Sequence, residues 1–323
     1  MRVLFFGTPE FAVPSLTALV GEGFDVVGVV TRPDQPTGRH RSTLTASPVK
    51  LAALAEDLAV LEPERPSSDA FIAQAAALAP DVSVVVAYGH ILKPQLLSVP
   101  RLGSVNVHAS LLPKLRGAAP IERAILEGHA ETGVSIMRMD AGMDTGPVYH
   151  QVNTPIPPDE TGGELRTRLA ELGALALVEA LTLLDETIIT ARPQNDGEAT
   201  YAPKLTREEE RLDWRQGAAA IARRIRAFDP QPGAWTECRG KAIKLFDARV
   251  AGDGRREAGT GGRSEAGGGS ATAGTVLEAG ESLLIACGDG AVAVCEVQPA
   301  GKARMPVRAF VNGRGVAAGD VLA

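Results

Sequence analysis

The sequence predicts an α/β protein with an N-terminal doubly wound parallel sheet and a C-terminal β-barrel. Three observations predict this arrangement. The chain has 323 residues, which exceeds one ordinary hydrophobic core and fits two domains. Its first half alternates short β-branched runs with longer helical patterns, as parallel strands joined by crossover helices do. Its last third carries short alternating runs separated by glycine and aspartate turns, which is typical of antiparallel hairpins.

The first half contains the elements of an open, Rossmann-like sheet. Four apolar runs predict buried strands, at residues 3–6, 26–30, 82–87 and 105–107. Three segments with helical spacing lie between them, at residues 14–20, 47–59 and 68–78. Ligands of such sheets bind outside the carboxyl ends of the strands. Residues that directly follow Val86 and Val107 are therefore expected at a functional site.

The second half begins after a long amphipathic helix that is predicted over residues 163–185. Alternating runs at 242–246, 275–277, 283–287 and 291–297 predict hairpins of an OB-like barrel. Residues 251–274 hold a glycine-rich stretch with almost no apolar side chains, and we expect a flexible insertion there. The predicted divisions are a catalytic domain over 1–189, a linker over 190–206 and a β-barrel domain over 207–323.

Composition and sequence motifs limit the class of protein and the cellular compartment that we expect. Apolar residues make up 45% of the chain and charged residues 22%, as in a soluble globular protein. No segment has the features of a signal peptide or of a membrane span. Three cysteines without CxxC spacing argue against a disulfide framework and a zinc site. We therefore expect a cytoplasmic protein without a metal and without membrane association.

Charge is distributed unevenly along the chain. Residues 1–202 carry 15 Lys and Arg against 24 Asp and Glu, whereas residues 203–323 carry 18 against 15. A basic surplus at the C-terminal end fits a surface that binds a polyanion. Solvated arginines in turn-rich segments explain the same surplus equally well.

Two segments carry residues suited to chemistry. Asn106 and His108 are two residues apart on a predicted strand, so an amide donor and an imidazole project from the same face at the strand end. Asp140 and Asp144 lie on a glycine-rich loop that follows a strand pattern. Spacing alone leaves the simpler interpretations open, since such residues often serve as structural hydrogen-bonding groups, turns or caps.

Ordered blocks along the chain resemble the signature of folate-dependent formyltransferases. The two most specific blocks are Asn-Val-His at 106–108, continued by Ser-Leu-Leu-Pro at 110–113, and Met-Asp-Ala-Gly-Met-Asp-Thr-Gly at 139–146. Supporting segments lie at 5–12, 31–39, 84–89, 225–235 and 283–299. The resemblance covers nearly the whole chain, which leaves little weight to the simpler interpretations.

The resemblance implies that Asn106, His108 and Asp144 form the catalytic centre and that 10-formyltetrahydrofolate is the co-substrate. Formyl transfer to an amine passes through a tetrahedral intermediate with a negatively charged oxygen. Asn106 and protonated His108 are expected to donate to that oxygen, and one such donor contributes about 3–4 kcal/mol. Asp144 is expected to orient the imidazole and to accept the amine proton, directly or through water. This chemistry requires no metal.

A folate site is implied beside the catalytic residues. Its expected members are Ser110, Leu111, Leu112 and Pro113, with Tyr88 on the opposite wall. A role of Leu111 and Leu112 in the core is compatible with this site if the folate contacts backbone atoms.

The resemblance also implies initiator methionyl-tRNA as the acceptor, and we expect a monomer. Basic side chains would pair with its phosphates, and the candidates are Arg39, His40, Arg41, Lys204, Arg207, Arg223, Arg224 and Arg226. A solvated loop and a solvent-facing helix are the alternatives. Ser42 and Thr43 depart from the lysine-rich loop expected after Arg41, which leaves the discrimination of base pairs open.

Other functions share parts of these patterns. Relatives with the same catalytic signature formylate nucleotide-sugar amines, or remove formyl groups from folate within a larger polypeptide. The match in the C-terminal part and its basic surplus favour the RNA acceptor. A nicotinamide-dependent dehydrogenase would need a GxGxxG phosphate loop, which residues 6–10 lack. A non-catalytic RNA-binding module would not need the three catalytic residues.

Overall fold

A computed structural model describes residues 1–37, 43–252 and 271–323 of the chain. The chain divides into two compact units. Unit 1 comprises residues 1–121, 130–155 and 165–204, and unit 2 comprises residues 122–129, 156–164 and 205–323. Each unit is therefore built from three separate stretches of sequence. Among the described residues, no helix is long and apolar enough to cross a membrane.

Unit 1 contains a seven-stranded sheet and two small strand pairs. Its strands are β1 Arg2–Gly7, β2 Asp25–Val30, β3 Gln35–Thr37, β4 Thr43–Thr45, β5 Val60–Leu61, β6 Val82–Val86, β7 Ser104–His108, β8 Arg116–Gly117, β9 Glu131–Arg138, β10 Val148–Pro155 and β11 Tyr201–Ala202. The sheet has the order β10-β9-β7-β6-β1-β2-β5. Because β1 pairs with both β2 and β6, the strand order reverses at β1, and ligand crevices form at such switch points.

The prediction of a parallel sheet is confirmed for five of the seven strands. β5, β2, β1, β6 and β7 pair in parallel, but β9 runs antiparallel to β7 and β10 antiparallel to β9. β10 is antiparallel to β9 because these two strands form a hairpin around the loop at 139–147, with no crossover helix between them. The sheet is therefore mixed at one edge, and this hairpin brings the glycine-rich loop beside the end of β7.

Four helices of the described residues match the segments predicted at 14–20, 47–59, 68–78 and 163–185. The described helices are α1 Val13–Gly21, α2 Pro48–Ala55, α3 Asp69–Ala77, α4 Pro94–Leu97, α5 Pro120–Leu126, α6 Gly162–Asp185, α7 Ala218–Ala227 and α8 Val307–Asn312, with short 3-10 turns at Glu10–Ala12 and Asp196–Glu198. Ser47 and Ser68 cap α2 and α3 by accepting backbone N–H bonds. α2 ends four residues before the predicted limit, and Asp57 then has a φ of +53°, which a right-handed helix excludes.

The core of unit 1 centres on β1 and β6. Every residue of β6 is buried, and Val3, Leu4, Phe5 and Phe6 of β1 have no exposed surface. Strands covered on both faces read as continuous apolar runs, which is why the sequence pattern identified them. This rigid centre fixes the strand ends from which the site is built.

Unit 2 is built on a curled antiparallel sheet. Its strands are β12 Trp235–Cys238, β13 Lys241–Val250, β14 Val276–Ala279, β15 Leu283–Ala286, β16 Ala291–Pro299 and β17 Met305–Pro306. The order is β12-β13-β16-β15-β14, with β17 paired to β16. Val321 and Leu322 form bridges to Thr275 and Cys238, so the last residues span the two edges of a half-barrel.

Three arginines of α7 donate to backbone carbonyls of unit 2, and two of these carbonyls lie on its short segments. Arg223 Nε donates to the Leu126 carbonyl at 3.3 Å, and Arg226 Nη1 donates to the Glu160 carbonyl at 3.3 Å. Arg224 Nη1 donates to the Glu209 carbonyl at 3.2 Å. Segments 122–129 and 156–164 are thus bonded to the part of unit 2 that follows residue 205.

The predicted linker at 190–206 does not coincide with the boundary between the two units, and the predicted insertion is only partly described. Residues 190–204 cluster with unit 1, and unit 2 resumes at Leu205. Of the predicted insertion, the structure describes residues 251–252 and 271–274, and residues 253–270 lie outside the described part.

Candidate active site

Asn106 and His108 lie at the end of β7, as predicted from their spacing. Asn106 is in register with Val85 of β6 and Met137 of β9, which places it inside the sheet near the carboxyl ends of the parallel strands. The Asn106 side chain is half-buried, and His108 is 5% exposed. Within the described residues, the Asn106 amide has no side-chain hydrogen bond, so its N–H groups are available to a ligand.

The His108 ring is fixed by its neighbours on both sides. Its Nε2 lies 3.0 Å from the Leu115 carbonyl oxygen, and its Nδ1 lies 3.7 Å from Asp144 Oδ2. A carbonyl oxygen only accepts, so Nε2 carries the hydrogen of that bond. Nδ1 therefore carries a hydrogen only when the ring is protonated. A protonated ring would have the Asp144 carboxylate as its counter-charge.

Asp144 is presented by a tight loop between β9 and β10. Its backbone has a φ of +54°, a conformation that aspartate adopts more readily than most residues, and its Oδ2 accepts a hydrogen bond from Gly117 N at 2.8 Å. Asp140 Oδ1 stabilises the loop by accepting from Gly142 N and Thr145 Oγ1, at 2.9 and 2.8 Å. The two aspartates thus differ in role, since Asp140 forms the turn and Asp144 faces His108.

Gly146 allows this loop to lie directly on β9. A Cβ atom at Gly146 would stand 1.8 Å from the Arg138 carbonyl oxygen, which no side chain tolerates. The glycine therefore sets the distance between the loop and the strand. The sequence indicated this close approach through its glycines, although it did not identify the partner.

The segment Ser110 to Pro113 is held in place by two polar side chains of the β9–β10 hairpin. Ser135 Oγ donates to the Ser110 carbonyl at 2.6 Å and accepts from Leu112 N at 3.0 Å. Gln151 Nε2 donates to the Leu112 carbonyl at 2.9 Å and to Ser135 Oγ at 2.8 Å. The peptide between Leu112 and Pro113 is cis. The backbone of this segment is thus fixed independently of any ligand.

The side chains of the predicted folate site divide into buried and accessible groups. Ser110 and Leu112 are buried, whereas Leu111 and Pro113 are half-buried. Tyr88 is 2% exposed and its ring packs in the core cluster with Phe6, and burial raises the pKa of Tyr88 to about 12. The phenol therefore stays neutral in the physiological range. Backbone atoms and the half-buried side chains are the groups these segments offer to a ligand.

Comparison with known families identifies the chain. Residues 1–181 match the family model described as "Formyl transferase", and residues 204–315 match "Formyl transferase, C-terminal domain". The chain belongs to the formyl transferase family. Asn106, His108 and Asp144 all lie within the first match, and unit 2 contains most of the second.

Curated relatives of this formyl transferase match it over its full length. Methionyl-tRNA formyltransferase of Thiobacillus denitrificans is 46% identical over 326 residues, which cover 100% of this chain and 99% of the relative. The protein with the same name from Neisseria meningitidis is 44% identical over 325 residues, which cover 100% of both chains.

Solved structures share the fold at low identity. HypX from Aquifex aeolicus aligns with a TM-score of 0.66 at 20% identity over 97% of this formyl transferase, which spans 48% of the HypX chain. An N-formyltransferase from Helicobacter canadensis, solved with folinic acid and dTDP-3-aminofucose, aligns with a TM-score of 0.65 at 19% identity, over 93% of this chain and 99% of that chain. These likenesses establish the fold of the formyl transferase.

The basic residues predicted to contact RNA fall into three groups. Arg39, His40 and Arg41 lie outside the described residues. Lys204 and Arg207 are exposed. The three arginines of α7 are half-buried and donate to backbone carbonyls of unit 2, which is a structural use that the sequence did not reveal. Burial lowers the pKa of the Arg226 guanidinium.

Across residues 1–37, 43–252 and 271–323, no group of three or more His, Cys, Asp or Glu side chains is placed to hold a metal ion.

Loss of the Ser135 hydroxyl is expected to loosen the segment at 110–113. Ser135→Ala leaves Leu112 N without its acceptor, and an unsatisfied buried group costs about 1–3 kcal/mol. We expect the free energy of unfolding to fall by about this amount and the KM for the formylated folate to rise. Urea denaturation and initial-rate kinetics measure the two effects.

The exposed Ser98 supplies the control for that substitution. Ser98→Ala also removes one hydroxyl from unit 1, but it removes no contact to residues 110–113. An unchanged KM in Ser135→Ala, together with unchanged stability, would contradict the role given to the hydroxyl.

Proposed function

We propose that this formyl transferase moves the formyl group of 10-formyltetrahydrofolate to the amino group of methionine on initiator methionyl-tRNA, for translation initiation. The observation that carries the proposal is the full-length identity of 42–47% with curated relatives named methionyl-tRNA formyltransferase. A HypX structure solved with tetrahydrofolic acid supports a folate as the formyl carrier. We further propose that the enzyme works as a cytoplasmic monomer.

The proposed catalytic step uses the amide, imidazole and carboxylate of this site. The methionine amine attacks the formyl carbon, and the carbonyl oxygen becomes an oxyanion. The Asn106 amide and protonated His108 Nδ1 donate to that oxyanion. Asp144 accepts the amine proton, directly or through water. The intermediate then collapses, the bond from carbon to N10 breaks, and N10 takes up a proton as tetrahydrofolate leaves.

The folate carrier is assigned to the crevice beside β6 and β7. Ser110, Leu111, Leu112 and Pro113 would contact it, chiefly through backbone atoms and the two half-buried side chains. The Tyr88 ring is packed in the core, so the proposed contribution of this residue is its backbone at the end of β6.

RNA binding is assigned to the basic residues of both units. Lys204 and Arg207 are exposed and suited to phosphate contacts, and the loop with Arg39, His40 and Arg41 is proposed to contact the acceptor stem. We also propose that the curled sheet of unit 2 is an OB-like barrel, a fold that binds nucleic acids in other proteins. The carbonyl bonds use one N–H group of each α7 arginine, and Arg224 Nε is buried, so the other N–H groups of these guanidiniums are the proposed phosphate contacts.

An acceptor assay tests the proposal directly. The protein is incubated with labelled 10-formyltetrahydrofolate and, in separate reactions, methionine-charged initiator tRNA, methionine-charged elongator tRNA and dTDP-linked amino sugars. Formylation of the initiator tRNA at a much higher kcat/KM than the other acceptors is the expected result. Formylation of a sugar alone would overturn the RNA acceptor and retain the folate chemistry.

A further inference from the structure

Gln194, in the last segment of unit 1, is bonded directly to the loop that carries Asp144. Its Nε2 donates to the Asp144 carbonyl at 2.8 Å and to the Gly146 carbonyl at 2.6 Å. We propose that Gln194 is a positioning residue that fixes the Asp144 carboxylate against His108. The proposal deepens the proposed formyl transfer and rests on it for the role of Asp144.

The orientation of the Gln194 amide is set by Arg116. Arg116 Nε and Nη2 donate to Gln194 Oε1 at 3.1 and 2.8 Å, and Nη2 also donates to Asp196 Oδ1 at 2.7 Å. A guanidinium has no acceptor, so the amide oxygen must face Arg116 and the amide nitrogen must face the two carbonyls. Arg116 is 2% exposed, and its buried charge therefore holds the amide in one orientation.

The neighbours of Arg116 contact the catalytic residues themselves. The Leu115 carbonyl accepts from His108 Nε2, and Gly117 N donates to Asp144 Oδ2. Strand β8 is anchored in turn, since β11 pairs with it and Thr200 Oγ1 accepts from Leu115 N at 2.9 Å. A closed ring of contacts thus runs from His108 through residues 115–117 and Gln194 to Asp144.

This ring explains how a carboxylate on a left-handed backbone is kept in place. Gly117 N fixes the Asp144 side chain, whereas Gln194 fixes the carbonyls on both sides of Thr145. Without Gln194 the loop loses both of these bonds, and the separation of Asp144 from His108 is no longer held at 3.7 Å. A displacement of about 1 Å at a catalytic group lowers rates by about 10²-fold.

The Gln194→Glu variant distinguishes a positioning role of the Gln194 amide from a role of its side chain in packing. The glutamate keeps the size of the side chain and its acceptors for Arg116, but when ionised it has no donor for the two carbonyls. We expect kcat to fall by about 10- to 100-fold, with a smaller change in KM. Gln194→Met is the second variant, because it keeps the volume and removes both functions.

A pH profile gives a result that packing alone would not produce. When the new carboxyl of Gln194→Glu is protonated it regains one donor, so its kcat relative to the parent protein should rise as the pH is lowered. Gln194→Met should show no such recovery. Gln74→Glu, an exposed position on α3, is the charge-matched control and should keep the parental kcat.

Three results would overturn the proposal. The first is a kcat of Gln194→Glu equal to that of the parent protein, and the second is a variant that changes KM without lowering kcat. The third is a kcat of Gln194→Glu, relative to the parent, that does not change with pH while the midpoint of thermal unfolding is unchanged. Each variant is measured with the acceptor that the parent protein formylates. If that acceptor proves to be an amino sugar, the proposed RNA substrate fails and the test of Gln194 is still decided.

Discussion

Asp144→Asn is expected to lower kcat by about 10²- to 10⁴-fold, the range for loss of a general acid or base. The asparagine oxygen still accepts from Gly117 N, and asparagine tolerates a positive φ, so the loop keeps its conformation. Only the negative charge and the proton acceptor are lost. Single-turnover kinetics with the proposed substrates measure the chemical step, and circular dichroism verifies the fold.

Asp185→Asn serves as the control, since Asp185 is exposed at the end of α6 and far along the chain from the site. Its kcat should equal that of the parent protein. If Asp144→Asn retained more than about a tenth of the parental kcat, Asp144 would not be the proton acceptor.

Asn106→Asp is expected to lower kcat more than Asn106→Ala does. Loss of an oxyanion donor costs about 10²- to 10³-fold in kcat. Aspartate adds a negative charge at the same position, where it repels the developing oxyanion. Because the Asn106 amide has no side-chain partner among the described residues, neither variant breaks an internal hydrogen bond. Rapid-quench measurement of formyl transfer compares the variants.

Asn312 provides a matched substitution for that comparison. It is exposed at the end of α8, and Asn312→Asp introduces the same charge within unit 2. The proposed donor role predicts that kcat decreases in the order parent, Asn106→Ala, Asn106→Asp. A kcat for Asn106→Asp equal to the parental value would refute it.

The buried strands were predictable because a strand that is buried on both faces needs apolar residues at successive positions. β1 and β6 are covered on both faces, so their residues are apolar apart from Arg2 at the start of β1 and Ser83 in β6. The pairing direction of β9 was not predictable in this way, because a strand pattern has the same period in either orientation. β10 was missed because alternate residues face solvent and the run includes His150, Gln151 and Asn153.

The part of the candidate site whose residues lie close together in the sequence was predictable. Asn106 and His108 share a strand face, and their placement followed from a spacing of two. Ser135, Gln151 and Gln194 were not predicted, since each acts through one or two hydrogen bonds to backbone that is distant in sequence. No local pattern encodes such a partner, and only the folded register of β9, β10 and the segment at 192–202 reveals it.

The interleaving of the two units sets the order in which the chain can fold during synthesis. Unit 1 is complete once residue 204 has left the ribosome, whereas residues 122–129 and 156–164 must wait for the segment that begins at Leu205. During that interval the carbonyls of Leu126 and Glu160 lack the arginines of α7 that later bind them. The nascent chain therefore passes through a stage in which the sheet of unit 1 can be formed while the bonds from α7 to two of its connecting segments are still absent.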